Sequence, residues 1–453
     1  MLFADAVILF GIFGVFTLKS LIGERFSASS RPFLVLALAA GVMLYWLGAL
    51  MASAYFLKVV FDFIALRFVR NGLRFWIFVV SQILALVFYK YELQPNVFYI
   101  RDIGLSFHLL FVCQYAIAIT RDAKERLSFQ DHVIVFTYFP AFLAGPITSV
   151  HQLRDDLVGD SKRQGDMPAG MPSATSNLAP VVLMFFLGLF KISLKSFFAP
   201  TYTAGIVESS IYFNIFFYFE LSGYSDLAIA FSQLIGVRLS ANFDRPLFRY
   251  SVTKMWQTWH MTVMNWFNEY VYFPLQYASW LRWISPRLRF RIVVIFTFVL
   301  VGIWHQFSPA FIVWGLLNGL MVAAESLIPT RISKRLAEFP KATRAFVNAV
   351  RLFYVWLTTG FLRWMTAYPD ANWEAFLQRV RGMVQLPFFS RQYDSVFYTV
   401  TILICFAVVS YIELRTERWS KSPTAVFVFT AIVAFLFAII WFDSEGTYSY
   451  GRF

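Results

Sequence analysis

VGIWHQFSPAFIVWGLLNG, residues 301–319, is almost entirely apolar yet carries one histidine, His305, directly after Trp304. An apolar run of this length belongs either in the core of a large soluble protein or in a bilayer, and the rest of the chain decides between them. The 453 residues are 59% hydrophobic and 20% aromatic. Charged residues make up 14%, against roughly 25% in ordinary soluble domains. A soluble chain of this length could not hide so much apolar surface, so the sequence reads as an all-α polytopic membrane protein. A membrane β-barrel would show short alternating segments, and these long runs with 54 phenylalanines do not alternate.

The formal net charge is +13. The lysines and arginines fall between apolar runs, where they anchor cytoplasmic ends and meet anionic headgroups. No basic stretch carries a nucleic-acid-binding motif. The two cysteines, Cys113 and Cys405, lie inside apolar runs, which supports neither a disulfide framework nor a zinc or iron–sulfur site.

Working outward from 301–319, the preceding segment Tyr250–Leu275, YSVTKMWQTWHMTVMNWFNEYVYFPL, is aromatic and polar-studded. It reads as re-entrant or interfacial, tolerated where protein or a cavity covers its polar groups. Trp256, Trp259 and His260 stand at helical spacing and are expected on one helix face. Upstream, 206–234 is apolar but interrupted by ELSGYSD, residues 220–226. Such groups must face protein or water rather than lipid. Lys191 and Lys195, one turn apart in the span 180–198, read as snorkelling to an interface.

Residues 132–149 read as a membrane segment broken or turned back at Gly145-Pro146. Residues 151–177 read as a solvated polar loop that includes His151 and the acidic pair Asp155-Asp156. Toward the amino terminus, 32–60 is either two short helices or one bent near Gly48, and 2–18 reads as a retained first span rather than a signal peptide. After 329–351, a basic connector, the last clear spans are 396–413 and 424–442. The total is roughly eleven membrane segments, give or take two, at ~20 residues per span. Residues 1–453 are expected to form one integral-membrane domain without internal repeats.

The five histidines, His108, His132, His151, His260 and His305, share no ligand spacing, so no metal site is expected. His108 and His132 sit near span ends and read as structural, and His151 as solvated. His305, deep in an apolar run, suits a neutral general base acting on a hydroxyl. On spacing alone it could equally bond a backbone carbonyl released by the Pro309 break. His260 could be an assisting residue or part of an interfacial anchor.

Six stretches in order settle which of these readings is preferred. They are GLSFHLLFVCQYAIAITRD (104–122), FPAFLAGPI (139–147), LGLFKISLKSFFAP (187–200), YFELSGYSDLAIAFSQLIGVRLSANFDRP (218–246), KMWQTWHMTVMNWFNEYVYFPL (254–275) and GIWHQFSPAFIVWGLLNG (302–319). Over this core, about 103–319, the chain resembles the membrane-bound O-acyltransferase (MBOAT) family. The likeness is to its bacterial branch of alginate O-acetyltransferases and teichoic-acid D-alanyl transfer proteins. Some positions depart from the family pattern. Thr258 stands where the RWH pattern has arginine, Glu220 where aspartate precedes SGY, and His108 where tyrosine is usual. Lys191 and Lys195 replace paired lysines, and the ending TYSYGRF is only loosely similar.

The resemblance implies a ring of helices around a central funnel in a bacterial cytoplasmic (inner) membrane. It implies an acyl thioester donor, acetyl-CoA or an acyl carrier protein, reaching the site from the cytoplasm, with no bound cofactor. His305 would take the proton of the acceptor hydroxyl, and His260 would assist. Asn318, Trp304 and Trp256 are candidate oxyanion donors. Asp226, Ser222 and Tyr224 would line a substrate path or fix helix geometry. The acceptor would be an exported polysaccharide, reached directly or through a soluble extracytoplasmic acyltransferase partner. The alternatives are D-alanyl or other acyl transfer to a teichoic acid, lipid or small molecule, or a non-catalytic acyl or glycan transporter with broken helices.

Overall fold

The computed structural model describes residues 31–70, 72–91, 101–142, 145–158, 179–197, 205–328, 338–368, 372–390, 393–419, 422, 428–430 and 432. Among these residues the regular structure is helical, without a strand. The expected first span, 2–18, lies outside the described residues, as do most of 424–442 and residues 159–177 of the expected polar loop.

The chain divides into two compact units. One comprises residues 1–190, 224–240 and 416–451, and the other residues 191–223, 241–415 and 452–453. Among the described residues, three helices are long and apolar enough to cross a membrane: Pro286–His305, Lys341–Thr366 and the Val396–Arg415 part of a longer helix.

The first unit begins with α1 (Arg31–Phe68), a single 38-residue helix. Gly48 does not divide it, because a lone glycine in a helix costs only about 1 kcal/mol and leaves the hydrogen-bond ladder intact. Gly72, at φ +84°, then turns the chain into α2 (Leu73–Tyr91), a conformation that a side chain would disfavour. Along α1 and α2, Phe56, Phe61, Ile64, Trp76 and Leu84 are exposed, as helices facing lipid tails require.

The other side of α1 meets α3 (Arg101–Arg121) through a buried polar network. Asp62, fully buried, receives Lys58 Nζ at 2.6 Å and Gln82 Nε2 at 2.8 Å. His108 Nε2 lies 2.7 Å from the same carboxylate, and its Nδ1 lies 3.0 Å from the Tyr55 hydroxyl.

The segment 132–149 is broken earlier than its Gly-Pro pair predicts. α4 (Phe129–Phe136) starts on the side chain of Ser128, which accepts from the Asp131 amide, and stops after eight residues. α5 (Phe139–Phe142) is one turn. Pro140 has no amide proton, and its ring would clash with the carbonyl of residue 136 in a continuous helix. A Cβ on Gly145 would overlap the Pro140 carbonyl, so the chain folds back tightly on α5.

Two further expectations give way here. Residues 151–158 are not loop but belong to α6 (Val150–Val158). Asp156 is not a solvated acid: it takes a bidentate Arg238 guanidinium, with contacts from 2.6 to 3.2 Å, plus the Arg238 amide. That bond raises the Arg238 guanidinium above its ordinary value. Its neighbour Asp155 pairs with Arg154 at 2.9 Å, and His151 pairs with Glu125 at 3.1 Å.

α7 (Ala179–Phe197) and α8 (Ile206–Leu234) each contribute to both units. In the second unit Lys191 and Lys195 do not snorkel. Both are buried. Lys191 meets Glu413 at 2.7 Å, a carboxylate that also accepts from the Tyr218 hydroxyl, and Lys195 meets Glu220 at 3.0 Å. Glu413 lies on α16 (Tyr393–Trp419). A buried ammonium needs such a partner, because desolvating an isolated charge costs several kcal/mol.

The remaining helices of this unit are α9 (Val252–Trp256), α10 (Met261–Phe267), α11 (Phe273–Gln276), α12 (Pro286–His305), α13 (Pro309–Glu325), α14 (Lys341–Thr366) and α15 (Trp373–Val384). The basic residues Lys341, Arg344 and Arg351, expected in a connector, lie on α14.

Candidate active site

The opening stretch folds as a tight helical hairpin. α12 starts with Pro286 at its first position, where the missing amide costs nothing, and its last residue is His305. Gln306 is extended, with its N–H still bonded to the Gly302 carbonyl at 3.0 Å. Ser308 is extended too, and Pro309 opens α13. The break expected at Pro309 is present: one helix ends at His305, and proline begins the next rather than kinking a continuous one.

Glycines set how closely the two helices approach. A Cβ on Gly302 would overlap the Phe311 carbonyl, and one on Gly315 the Phe298 carbonyl. One on Gly319 would stand 2.7 Å from the Ile295 Cα. Only hydrogen fits at these three contacts.

His305 is half-buried at this corner, among rings. Trp304 lies 4.7 Å away centroid to centroid, Phe311 is stacked at 5.7 Å, and Trp314 presents its edge at 5.7 Å. Trp314 packs in turn on Trp256 at 5.4 Å. The Trp256 indole N–H donates to Asn318 Oδ1 at 3.0 Å, and Asn318 Nδ2 donates to the Trp314 carbonyl at 2.9 Å. The structure thus gathers His305, Trp304, Trp256 and Asn318 into one cluster joined by Trp314.

His260 is seated differently. Trp256, Trp259 and His260 do not share a helix face: α9 ends at Trp256, and His260 is left-handed at φ 47°, ψ 47°. This conformation is uncommon outside glycine and persists only where surroundings enforce it. Asn242 does so here. Its Oδ1 lies 3.2 Å from His260 Nδ1 and accepts from the Thr262 amide and hydroxyl, while its carbonyl accepts from the Met261 amide at 2.8 Å. Phe243 flanks the buried imidazole at 5.9 Å.

Ser222 is buried on α8 in the second unit, and its hydroxyl has no hydrogen-bond partner among the described residues. Tyr224 and Asp226 lie on the part of α8 assigned to the first unit, half-buried.

Two residues that the sequence reading passed over stand out. Arg363, on α14, is buried with its guanidinium 3.9 Å above the Trp259 ring. It donates to Asn214 Oδ1 and reaches the Met255 sulfur at 3.7 Å. Lys191, Lys195 and Arg363 are the buried lysines and arginines among the described residues, and Arg363 alone of these meets no carboxylate there. No local signal marks it, since an arginine within FLRWM reads as the end of a span. The second is Ser308. It is buried at the start of α13, and its hydroxyl makes neither a capping bond nor any other hydrogen bond among the described residues. Its position was legible: a serine before proline, three residues after the histidine.

Residues 33–367 match the family model of MBOAT, the membrane-bound O-acyltransferase family. Individual relatives are more distant. A peptidoglycan O-acetyltransferase of Helicobacter pylori is 26% identical over 275 residues, covering 57% of this chain and 47% of that protein. A probable alginate O-acetylase of Pseudomonas aeruginosa is 26% identical over 320 residues, covering 67% and 59%. A teichoic acid D-alanyltransferase of Bacillus subtilis is 22% identical over 273 residues, covering 57% and 67%. The chain spans about half the length of several curated relatives that it matches, including 47% of the H. pylori protein and 46% of an alginate O-acetylase of Pseudomonas fluorescens. The family match extends beyond the 103–319 core at both ends and takes in the hairpin, the His260 turn and all of α14; the chain belongs to the membrane-bound O-acyltransferase family.

Proposed function

We propose that this chain is a membrane O-acyltransferase that moves an acyl group, acetyl in the first instance, from a cytoplasmic thioester donor to a hydroxyl. The acceptor hydroxyl belongs to an exported polysaccharide, or the group passes through a soluble extracytoplasmic partner. The observation that carries this reading is His305: a half-buried imidazole at the corner of a helical hairpin, within a chain of this family. The names of the relatives, two O-acetyl-transferring and one D-alanyl-transferring, support the reaction class. The same reading places the protein in a bacterial inner membrane, as a ring of roughly eleven helices at ~20 residues each, with acetyl-CoA or an acyl carrier protein as donor.

In the mechanism, the acceptor O–H gives its proton to the His305 imidazole as its oxygen attacks the thioester carbonyl carbon. The carbonyl electron pair moves onto oxygen, forming a tetrahedral oxyanion. Collapse of that intermediate breaks the C–S bond, and the departing thiolate takes the proton back from the imidazolium. The products are an O-acyl ester and a free thiol. Burial of the reacting groups strengthens each of these charge interactions. His260, locked in its left-handed turn, assists His305.

The test is transfer from radiolabelled acetyl-CoA or an acetylated carrier protein to polysaccharide, with the purified protein in liposomes. Wild-type protein is expected to form labelled ester, and His305→Ala to form none. Full product formation by that variant removes His305 from the chemistry. A D-alanylated carrier in a parallel reaction separates the two acyl groups named by the relatives. Movement of substrate across the liposome without ester would establish the transporter reading instead.

A further inference from the structure

The reaction proposed above creates two charges at once, an imidazolium and an oxyanion. The hairpin corner supplies a place for each. His305 closes the C-terminal end of α12, where unsatisfied carbonyls carry partial negative charge that favours a cation. The start of α13 carries the opposite sign, and unsatisfied N–H groups there favour an anion. Stacking of Phe311, in the first turn of α13, on the His305 ring at 5.7 Å brings these two helix ends together.

Two of the donors first considered for the oxyanion, Trp256 and Asn318, each already give an N–H to a neighbour within the protein. The Trp256 indole N–H is given to Asn318, and Asn318 Nδ2 is given to the Trp314 carbonyl. The open donors are at α13. Ile312 makes the first backbone bond of the turn, to the Ser308 carbonyl at 3.0 Å. Ala310 and Phe311 precede it, so their N–H groups have no intrahelical acceptor. Ser308, the residue that would ordinarily cap them, does not do so. Its hydroxyl is buried without a partner among the described residues, a state that costs about 1–3 kcal/mol. A capping serine that does not cap, beside the candidate base, is a donor held in reserve.

We propose that the N-terminus of α13 is the oxyanion site of the acyl transfer, with the Ser308 hydroxyl and the Ala310 and Phe311 amides as its donors. This rests on the acyl-transfer reading. The ligand is the negatively charged oxygen of a tetrahedral thioester adduct. The three groups donate hydrogen bonds to it and no proton is transferred from them. The charge developed on oxygen is then met by one helix end while the proton on His305 is met by the other.

The experiment uses the full chain in nanodiscs. Its probe is an acetyl-CoA analogue in which a trifluoromethyl ketone replaces the acetyl thioester; its hydrate is a tetrahedral diol that becomes an oxyanion when one O–H gives its proton to His305. Binding is measured by calorimetry for wild type, Ser308→Ala and Ser308→Thr, beside acetyl transfer and thermal unfolding. Ser308→Ala is expected to lower kcat by about 10²-fold, the size of one oxyanion donor, with KM within about threefold. It is also expected to weaken the analogue by a similar factor, leave the unfolding midpoint at or above that of wild type, and be rescued by Ser308→Thr. Equal binding of the analogue by wild type and Ser308→Ala, or no binding by wild type, overturns the inference. A fall in the unfolding midpoint that matches the loss of activity also overturns it, because the role is then structural. Ser308-dependent binding without any ester formed by wild type leaves the anion site standing and removes the acyl-transfer reading.

Discussion

His108 and His305 are both imidazoles in apolar helices, and they are held in opposite ways. His108 is sealed, 2% exposed, with both ring nitrogens engaged by Asp62 and Tyr55. His305 is half-buried at a helix end, set among the rings of Trp304, Phe311 and Trp314. A histidine tied into a closed hydrogen-bond network contributes to the fold. One that is half-buried at a helix end, between aromatic rings, is within reach of a substrate. Sequence position already sets them apart, His108 near the start of an apolar run and His305 at the end of one, and their surroundings agree.

The sharpest way to break this comparison is His305→Ala. Transfer is expected to fall by about 10²- to 10⁴-fold, the contribution of a general base, while the unfolding midpoint in detergent stays close to wild type. The reverse pattern is expected for His108→Ala. It strips a partner from buried Asp62, and breaking a buried pair costs about 3–5 kcal/mol, read as a lowered midpoint and poor yield. If His108→Ala were stable and inactive, the two roles would be exchanged. Gly315→Ala tests the corner that positions His305. Its methyl would overlap the Phe298 carbonyl, and overpacking of this kind costs about 1–3 kcal/mol. The expected readings are a moderate midpoint loss and reduced kcat together. The smallest effect is Trp256→Phe, which keeps the ring contact with Trp314 and leaves Asn318 Oδ1 unsatisfied. About 1–2 kcal/mol of stability should be lost, with kcat within about threefold because this indole donates to Asn318 rather than to substrate.

Much of the helical pattern was written locally. Residues 206–234 form one helix as the apolar run predicts, and polar 220–226 lies within it, with Glu220 buried against Lys195. What was not legible depended on partners far along the chain. The snorkelling expected of Lys191 gives way because Glu413 meets it from α16. The helix face expected of Trp256, Trp259 and His260 is lost to a turn that Asn242 enforces from outside the segment. Arg363 is silent in sequence because its meaning lies in Trp259, Met255 and Asn214, which are all on other elements or turns. Trp304, His305 and Asn318 could be singled out together because they belong to one stretch; Ser308, in the same hairpin, was passed over because its burial without a hydrogen bond shows only in the fold.

The three glycines of that hairpin have a consequence for motion. Sliding α13 along α12 by one residue would set a side chain of Val301 or Leu316 where only the hydrogens of Gly302 and Gly315 now fit. The pair therefore has a single permitted register and travels as one piece. A shift of α13 that keeps these contacts therefore carries the imidazole with it. A spin label at exposed Leu316 or Leu320 would then report the position of the corner without touching it.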